Sequence, residues 1–171
     1  MLIKQTELVS IKENKLTFVK NFVSLERKYD FNLLSKLMEE NIIEIFPKSV
    51  IGHLKDVFHM GKVIDCLPEF KTFFDFLSKL LKYERDERDN VDIFFSFVSQ
   101  AGNPHVDVED VFILGLKGKT IYRIFNNETK DYLIEEGDLI FIPRGVNHKV
   151  IGTTPRIIAS IGFYGKRFND N

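Results

Sequence analysis

The feature that most constrains this chain is a change of texture near residue 90. Beyond it the sequence breaks into short runs rich in β-branched and aromatic residues: 92–98 (DIFFSFV), 111–116 (VFILGL), 120–125 (TIYRIF), 139–142 (LIFI), 148–151 (HKVI) and 156–164 (RIIASIGFY). Such residues suit a pleated, half-buried surface. Turn signals separate the runs: Gly102-Asn103-Pro104, Lys117-Gly118, Asn126-Asn127, Gly137-Asp138 and Pro143-Arg144-Gly145. Many short strands at regular spacing predict a sandwich or a closed barrel. No strand–helix alternation follows Asn90, which argues against a parallel doubly wound sheet.

The residues before 90 read differently. Residues 16–19 with Phe22 form a strand and a turn. Over 25–38, Leu25, Tyr29, Leu33 and Leu37 recur every four positions, one stripe of a helix. Pro47 opens a second predicted helix, with Val50, Ile51, Leu54, Val57 and Phe58 on one face and Gly61 past its end. Pro68 opens a third, with Phe73, Phe74, Leu77, Leu80 and Leu81 inward. All three stripes predict packing against a sheet. The charged run 82–90 (KYERDERDN) is expensive to bury, so it reads as a solvated connection.

A chain of 171 residues supports one domain, with a strand and helices over 1–90 and a barrel over 91–171. Twenty-four basic residues nearly cancel twenty-five acidic ones, so no global field draws the chain to nucleic acid. No apolar run approaches the ~18 residues of a membrane span. The single cysteine, Cys66, excludes an internal disulfide framework and fits a reducing compartment. The expectation is a soluble, cytoplasmic protein.

Three residues carry candidate chemistry: His105, Asp107 and His148. In an extended segment, positions 105 and 107 share one face, about 7 Å apart along the chain. An imidazole and a carboxylate can then converge on one cation. His148 follows a Pro-Gly turn and can close the set. Two imidazoles and one carboxylate on one face of an octahedron leave three positions open, which suits non-haem Fe(II) or another divalent first-row metal. Each element alone has a plainer reading: an H-x-D pair is more often a surface loop, and a lone strand histidine more often a satisfied one.

The surroundings favour the metal. From Gly137 the chain runs GDLIFIPRGVNH, with Pro143, Gly145 and His148 at the intervals of the second motif of the cupin superfamily, which it resembles. In the first motif His105-x-Asp107 replaces H-x-H, Val111 stands where many cupins carry a glutamate, and Gly118 falls at the expected distance. The segment PHVDVEDVFILGLKGKTIYRI is similar to the metal-binding segment of JmjC-type cupin oxygenases, above all their ribosomal-oxygenase branch, with its pattern PHxDxxDVFxxQxxGxKxWR. Pro104, His105, Asp107, Asp110, Val111, Phe112, Gly118 and Arg123 fit it, and ASIGFYG resembles the last core strand. The resemblance covers roughly residues 92–165. It implies a mainly β protein, a double-stranded β-helix (cupin jelly roll) with N-terminal helices packed on the barrel. It also implies that His105, Asp107 and His148 are metal ligands and catalytic residues, that Fe(II) is the metal and that 2-oxoglutarate is the co-substrate. A hydroxylase-like oxygenase would then act on a small-molecule or peptide substrate, and sheet-edge pairing suggests a homodimer.

The chain departs from that family at Thr120, where the basic residue that pairs with the distal carboxylate of 2-oxoglutarate belongs. A hydroxyl can hydrogen-bond a carboxylate but brings no charge, and a charge-assisted bond is roughly twice as strong. Tyr122, on the same strand face, and Ser160 are further candidates for co-substrate contact. Two other classes stay open: a metal-dependent cupin isomerase or dioxygenase without 2-oxoglutarate, and a non-catalytic cupin that binds a small molecule. Glu109 and Asp110 could be ligands or support the ligands, but the plainer reading is a solvated loop with Asp110 forming a turn. His53 and His59 fall six apart on the predicted second helix, the wrong spacing for a metal pair. Cys66 reads as an inert thiol, and Lys117, Lys119 and Arg123 as a solvated strand edge.

Overall fold

The computed structural model describes residues 5–25, 27–39, 45–46, 57–61, 63 and 67–167. In chain order the elements are α1 (Gln5–Lys12), β1 (Thr17–Val19), α2 (Phe31–Glu39), β2 (Ile45–Phe46), β3 (Phe58–Met60), α3 (Pro68–Leu81) and β4 (Asn90–Ser96). There follow β5 (Gln100–Ala101), β6 (Asp110–Lys117), β7 (Thr120–Phe125), β8 (Thr129–Ile134), β9 (Leu139–Ile142), β10 (His148–Gly152) and β11 (Arg156–Phe163).

The strands form two antiparallel sheets, one ordered β1-β9-β6-β11-β4-β3-β2 and one ordered β5-β10-β7-β8. The larger sheet is covered on both faces, which explains its nearly continuous apolar runs. On β6, Phe112, Leu114 and Leu116 join a core with the helices, while Val111 and Ile113 point the other way, into the barrel. Period-two alternation thus feeds two cores from one strand. The barrel core adds Tyr122, Ile124 and Ile134 from the smaller sheet to Ile140, Ile142 and Ile158 from the larger. Mainly β architecture, with two facing sheets and N-terminal helices on one of them, matches the double-stranded β-helix expected from the motifs.

Helix α3 starts at Pro68, as its sequence predicts, and buries Phe70, Phe74, Leu77 and Leu81. Phe74 stacks on Phe163 of β11 at 4.6 Å between ring centroids, and Tyr83 stacks on the same ring at 4.5 Å. Full burial of one such side chain contributes about 1.5–3 kcal/mol. The chain leaves the helix through Lys82 in the left-handed conformation, φ 56°.

Several expectations need correction. The helix expected over 25–38 begins only at Phe31, because the Asp30 carboxylate accepts the Leu33 N–H at 3.0 Å and caps it there. Most of the helix expected after Pro47, with His53, lies outside the described residues, as does Cys66. Phe58, expected on the apolar face of that helix, is instead in β3, which pairs with β4 and stacks Phe58 on Phe95 at 5.0 Å. The connection 82–90 is solvated except at Tyr83, which is buried. Asp110 is no solvated turn: it is 1% exposed and accepts hydrogen bonds from the Tyr83 hydroxyl at 2.6 Å and the Arg144 backbone N–H at 2.8 Å. Helix α1 and strand β8 have no clear apolar pattern in the sequence. Among the described residues, no helix is long and apolar enough to cross a membrane.

Candidate metal centre

His105 and His148 face each other across an isolated antiparallel bridge. The His105 N–H donates to the His148 carbonyl at 2.8 Å, and the His148 N–H donates to the His105 carbonyl at 2.9 Å. Residues paired in this way project their side chains to the same face. The ring centroids lie 4.4 Å apart. Asp107 follows in irregular chain, and its carbonyl accepts the Gly145 N–H at 2.9 Å. Gly145 has φ +78°, a conformation a side chain disfavours, so the Pro-x-Gly turn places both His148 and Asp107.

Side-chain orientation at the two histidines follows one local device. His105 Nδ1 lies 3.1 Å from the Asn103 carbonyl oxygen, and His148 Nδ1 lies 3.0 Å from that of Val146. A carbonyl only accepts, so both Nδ1 atoms carry the proton and both Nε2 atoms keep a free lone pair. These lone pairs face one carboxylate, with His105 Nε2 3.8 Å from Asp107 Oδ1 and His148 Nε2 3.5 Å from Asp107 Oδ2. The three ligand atoms lie within 4.8 Å of one another. Two ligands held about 2.1 Å from one ion at right angles would be about 3 Å apart, so the observed set is slightly wider than a closed one. His148 is 3% exposed, and burial pushes its imidazole below the ordinary range, against the opposing pull of the Val146 carbonyl and Asp107. A neutral imidazole is the form that binds metal. The residues therefore fit a divalent first-row metal by donor chemistry, tautomer and placement.

The triad lines a cavity of about 250 Å³ inside the barrel. Tyr122 and Ser160, two of the anticipated co-substrate contacts, line the same cavity. The Tyr122 ring lies 6.2 Å from that of His148, and burial pushes its hydroxyl pKa up. Thr120 is buried but is not among the residues lining this cavity. Glu109 lines it beside Tyr164, whose hydroxyl donates to Glu109 Oε1 at 3.1 Å. Burial, reinforced by the Asp107 carboxylate, raises the Glu109 pKa.

Among the lining residues that the sequence does not mark for this site are His59, Asp92 and Arg156. His59, in β3 and not on a helix, stacks on Phe94 and places Nε2 3.0 Å from Asp92 Oδ1. The third is Arg156, which is 4% exposed. A signal for it was visible, since it is the one charged residue in the run RIIASIGFY. The cluster Lys117, Lys119 and Arg123 is partly tied up on the surface, with Lys119 3.0 Å from Glu135 and Arg123 2.7 Å from Asp131.

A double-stranded β-helix with two histidines and an aspartate converging inside it is a cupin-type barrel bearing a metal-ligand set. Among solved structures, the ribosomal oxygenase YcfD of Escherichia coli shares this fold. Its complex with cobalt and 2-oxoglutarate aligns with 91% of this chain at TM-score 0.68 and 20% identity. A second YcfD structure aligns with 99% of it at TM-score 0.73 and 18% identity. The chain spans about half of these neighbours, 50% and 54% of their lengths. Drosophila melanogaster CENP-C, in a structure bound to CAL1, aligns with 77% of this chain and 96% of its own at TM-score 0.50 and 12% identity. No protein-family model and no curated protein matches the sequence.

Proposed function

We propose that this protein is a non-haem Fe(II) and 2-oxoglutarate-dependent oxygenase of the JmjC-type cupin kind, hydroxylase-like in its reaction. The observation that carries this reading is the pair of histidines whose Nδ1 protons are taken by backbone carbonyls and whose Nε2 atoms face Asp107. It is supported by a fold shared with a ribosomal oxygenase whose structure holds cobalt and 2-oxoglutarate.

His105, His148 and Asp107 would hold the metal at the cavity they line. Iron bound there supplies coupling between oxidation of 2-oxoglutarate by dioxygen and hydroxylation of a substrate C–H bond. The chain's own contribution is placement and exclusion of water. Val111, Ile113, Val150 and Ile158 supply the apolar part of the cavity wall, and Tyr122 and Ser160 offer hydroxyls to a bound co-substrate. The substrate would be a small molecule or a peptide side chain, acted on by a cytoplasmic homodimer.

Anaerobic addition of 2-oxoglutarate to the Fe(II)-loaded protein tests the proposal. A visible metal-to-ligand charge-transfer band is expected, and no spectral change up to millimolar co-substrate would reject it. A metal-dependent cupin without 2-oxoglutarate is favoured by one observation, the uncharged Thr120 at the usual anchor position. That reading predicts a bound metal and no such band.

A further inference from the structure

We propose that Arg156, reaching the cavity from β11, is the residue that receives the distal carboxylate of 2-oxoglutarate, in place of a basic residue at position 120. The inference rests on the co-substrate reading above.

Arg156 is buried, yet no carboxylate lies within ion-pair distance of it among the described residues. The single hydrogen bond its guanidinium makes there runs from Nη1 to the Val98 carbonyl at 2.9 Å. A guanidinium has five donors, so most of its capacity is unspent on the protein. A buried charge without a counter-charge is costly, and proteins rarely keep one that nothing pairs. Burial indeed lowers the Arg156 pKa, with nearby Tyr122 opposing. The cavity that Arg156 lines is the one that holds the metal-ligand triad. An anion entering it would supply the missing partner.

The route of the side chain ties it to the vacant anchor position. Gly152 on β10 is the register partner of Thr120 on β7. A Cβ on Gly152 would overlap the Arg156 guanidinium, so the arginine lies against the bare backbone of Thr120's partner. Along β10, His148, Val150 and Gly152 share one face, and Val150 is the partner of Tyr122. Along the smaller sheet there thus follow a metal ligand, then Tyr122, then Gly152, against which β11 lays the guanidinium. A keto acid chelated at one end and charged at the other matches that order. The charge absent at Thr120 is thus restored from the neighbouring sheet.

The test is a calorimetric titration of the Co(II)-loaded protein, which requires no turnover. Two probes are compared: 2-oxoglutarate, and 2-oxobutanoate, which keeps the chelating end and lacks the distal carboxylate. The wild type should prefer 2-oxoglutarate by roughly 10- to 100-fold, the worth of a charge-assisted pair. Arg156→Gln should lose most of that preference while binding 2-oxobutanoate and Co(II) normally. Arg156→Lys should keep part of it, and Thr120→Ala all of it. If Arg156→Gln fails to fold, the Lys and Thr120 variants decide: an unchanged preference in Arg156→Lys with a lost one in Thr120→Ala overturns the assignment. Undiminished preference in a folded Arg156→Gln protein overturns it too, and leaves the co-substrate reading standing. If the wild type binds 2-oxobutanoate as tightly as 2-oxoglutarate, Arg156 is not an anchor. If it binds neither, the co-substrate reading and the anchor fall together.

Discussion

Gly152 and Arg156 compete for one volume. The guanidinium occupies the space that any side chain at position 152 would need. Gly152→Ala must therefore displace Arg156 or shift β10. Overpacking of this kind costs typically ~1–3 kcal/mol. Thermal melting should register that loss, and 2-oxoglutarate affinity should fall along with it. Metal stoichiometry should stay unchanged, because His148 is held at the other end of β10 by its bridge to His105. A Gly152→Ala protein that melts and binds as the wild type does would refute the packing.

Asp107→Asn separates metal binding from folding. The backbone carbonyl of Asp107, not its side chain, takes the Gly145 N–H, so the turn survives the change. An amide oxygen is a poorer ligand than a carboxylate. Outer-sphere partners alone are worth roughly 10- to 100-fold in metal affinity, and a direct ligand should exceed that. Elemental analysis should find about one metal per wild-type chain and almost none in the variant, with metal-free stability within about 0.5 kcal/mol of wild type. Equal metal content in both proteins would remove Asp107 from the ligand set.

The ligand set was legible in the sequence because its spacing is local chemistry. Pro143 and Gly145 fix a turn, and a single residue, Val106, separates His105 from Asp107. The barrel strands were legible because β6, β9 and β11 are buried on both faces and read as continuous apolar runs. Strand β8 was not, because TKDYLI is mostly exposed until Ile134 and carries no apolar alternation. In α1 only Ile11 is buried among the side chains described, so no stripe marks the helix. The sequence hides the roles of Asp110 and Arg156 for a different reason. Their environments are made by residues remote in sequence: Tyr83 and Arg144 around the first, Val98 around the second. No local pattern encodes such partners.

The buried imidazole of His148 predicts a pH dependence for the metal-free protein. Its pKa in the folded state lies below the ordinary value of 6.5, chiefly through burial. Between the two values the unfolded chain binds a proton that the native state does not. The contribution is therefore fully present above pH 6.5 and declines as pH falls through the folded-state value. His148→Asn removes the titrating group and keeps an N–H near the Val146 carbonyl. Melting temperatures measured from about pH 7 down to about pH 5 should fall more steeply for the wild type than for the variant. Parallel curves would contradict the burial argument.

Behind the triad, Tyr83 tests the clamp that closes the barrel against the helices. Its hydroxyl donates to Asp110 at 2.6 Å and accepts from Arg167 Nε at 2.8 Å, while its ring stacks on Phe163. Asp110 and Arg167 are both buried, with 3.4 Å between Asp110 Oδ2 and Arg167 Nε. Tyr83→Phe keeps the ring and removes the bridging oxygen, leaving a buried carboxylate short of a donor and a buried guanidinium short of an acceptor. Loss of one such partner costs about 1–3 kcal/mol, more where the stranded group is charged. Urea unfolding should show a lower midpoint with an unchanged slope. Because Asp110 also accepts the Arg144 N–H, in the same turn as Gly145, the variant should bind metal more weakly without losing a ligand. Unaltered stability would mean that the hydroxyl contributes nothing to the clamp.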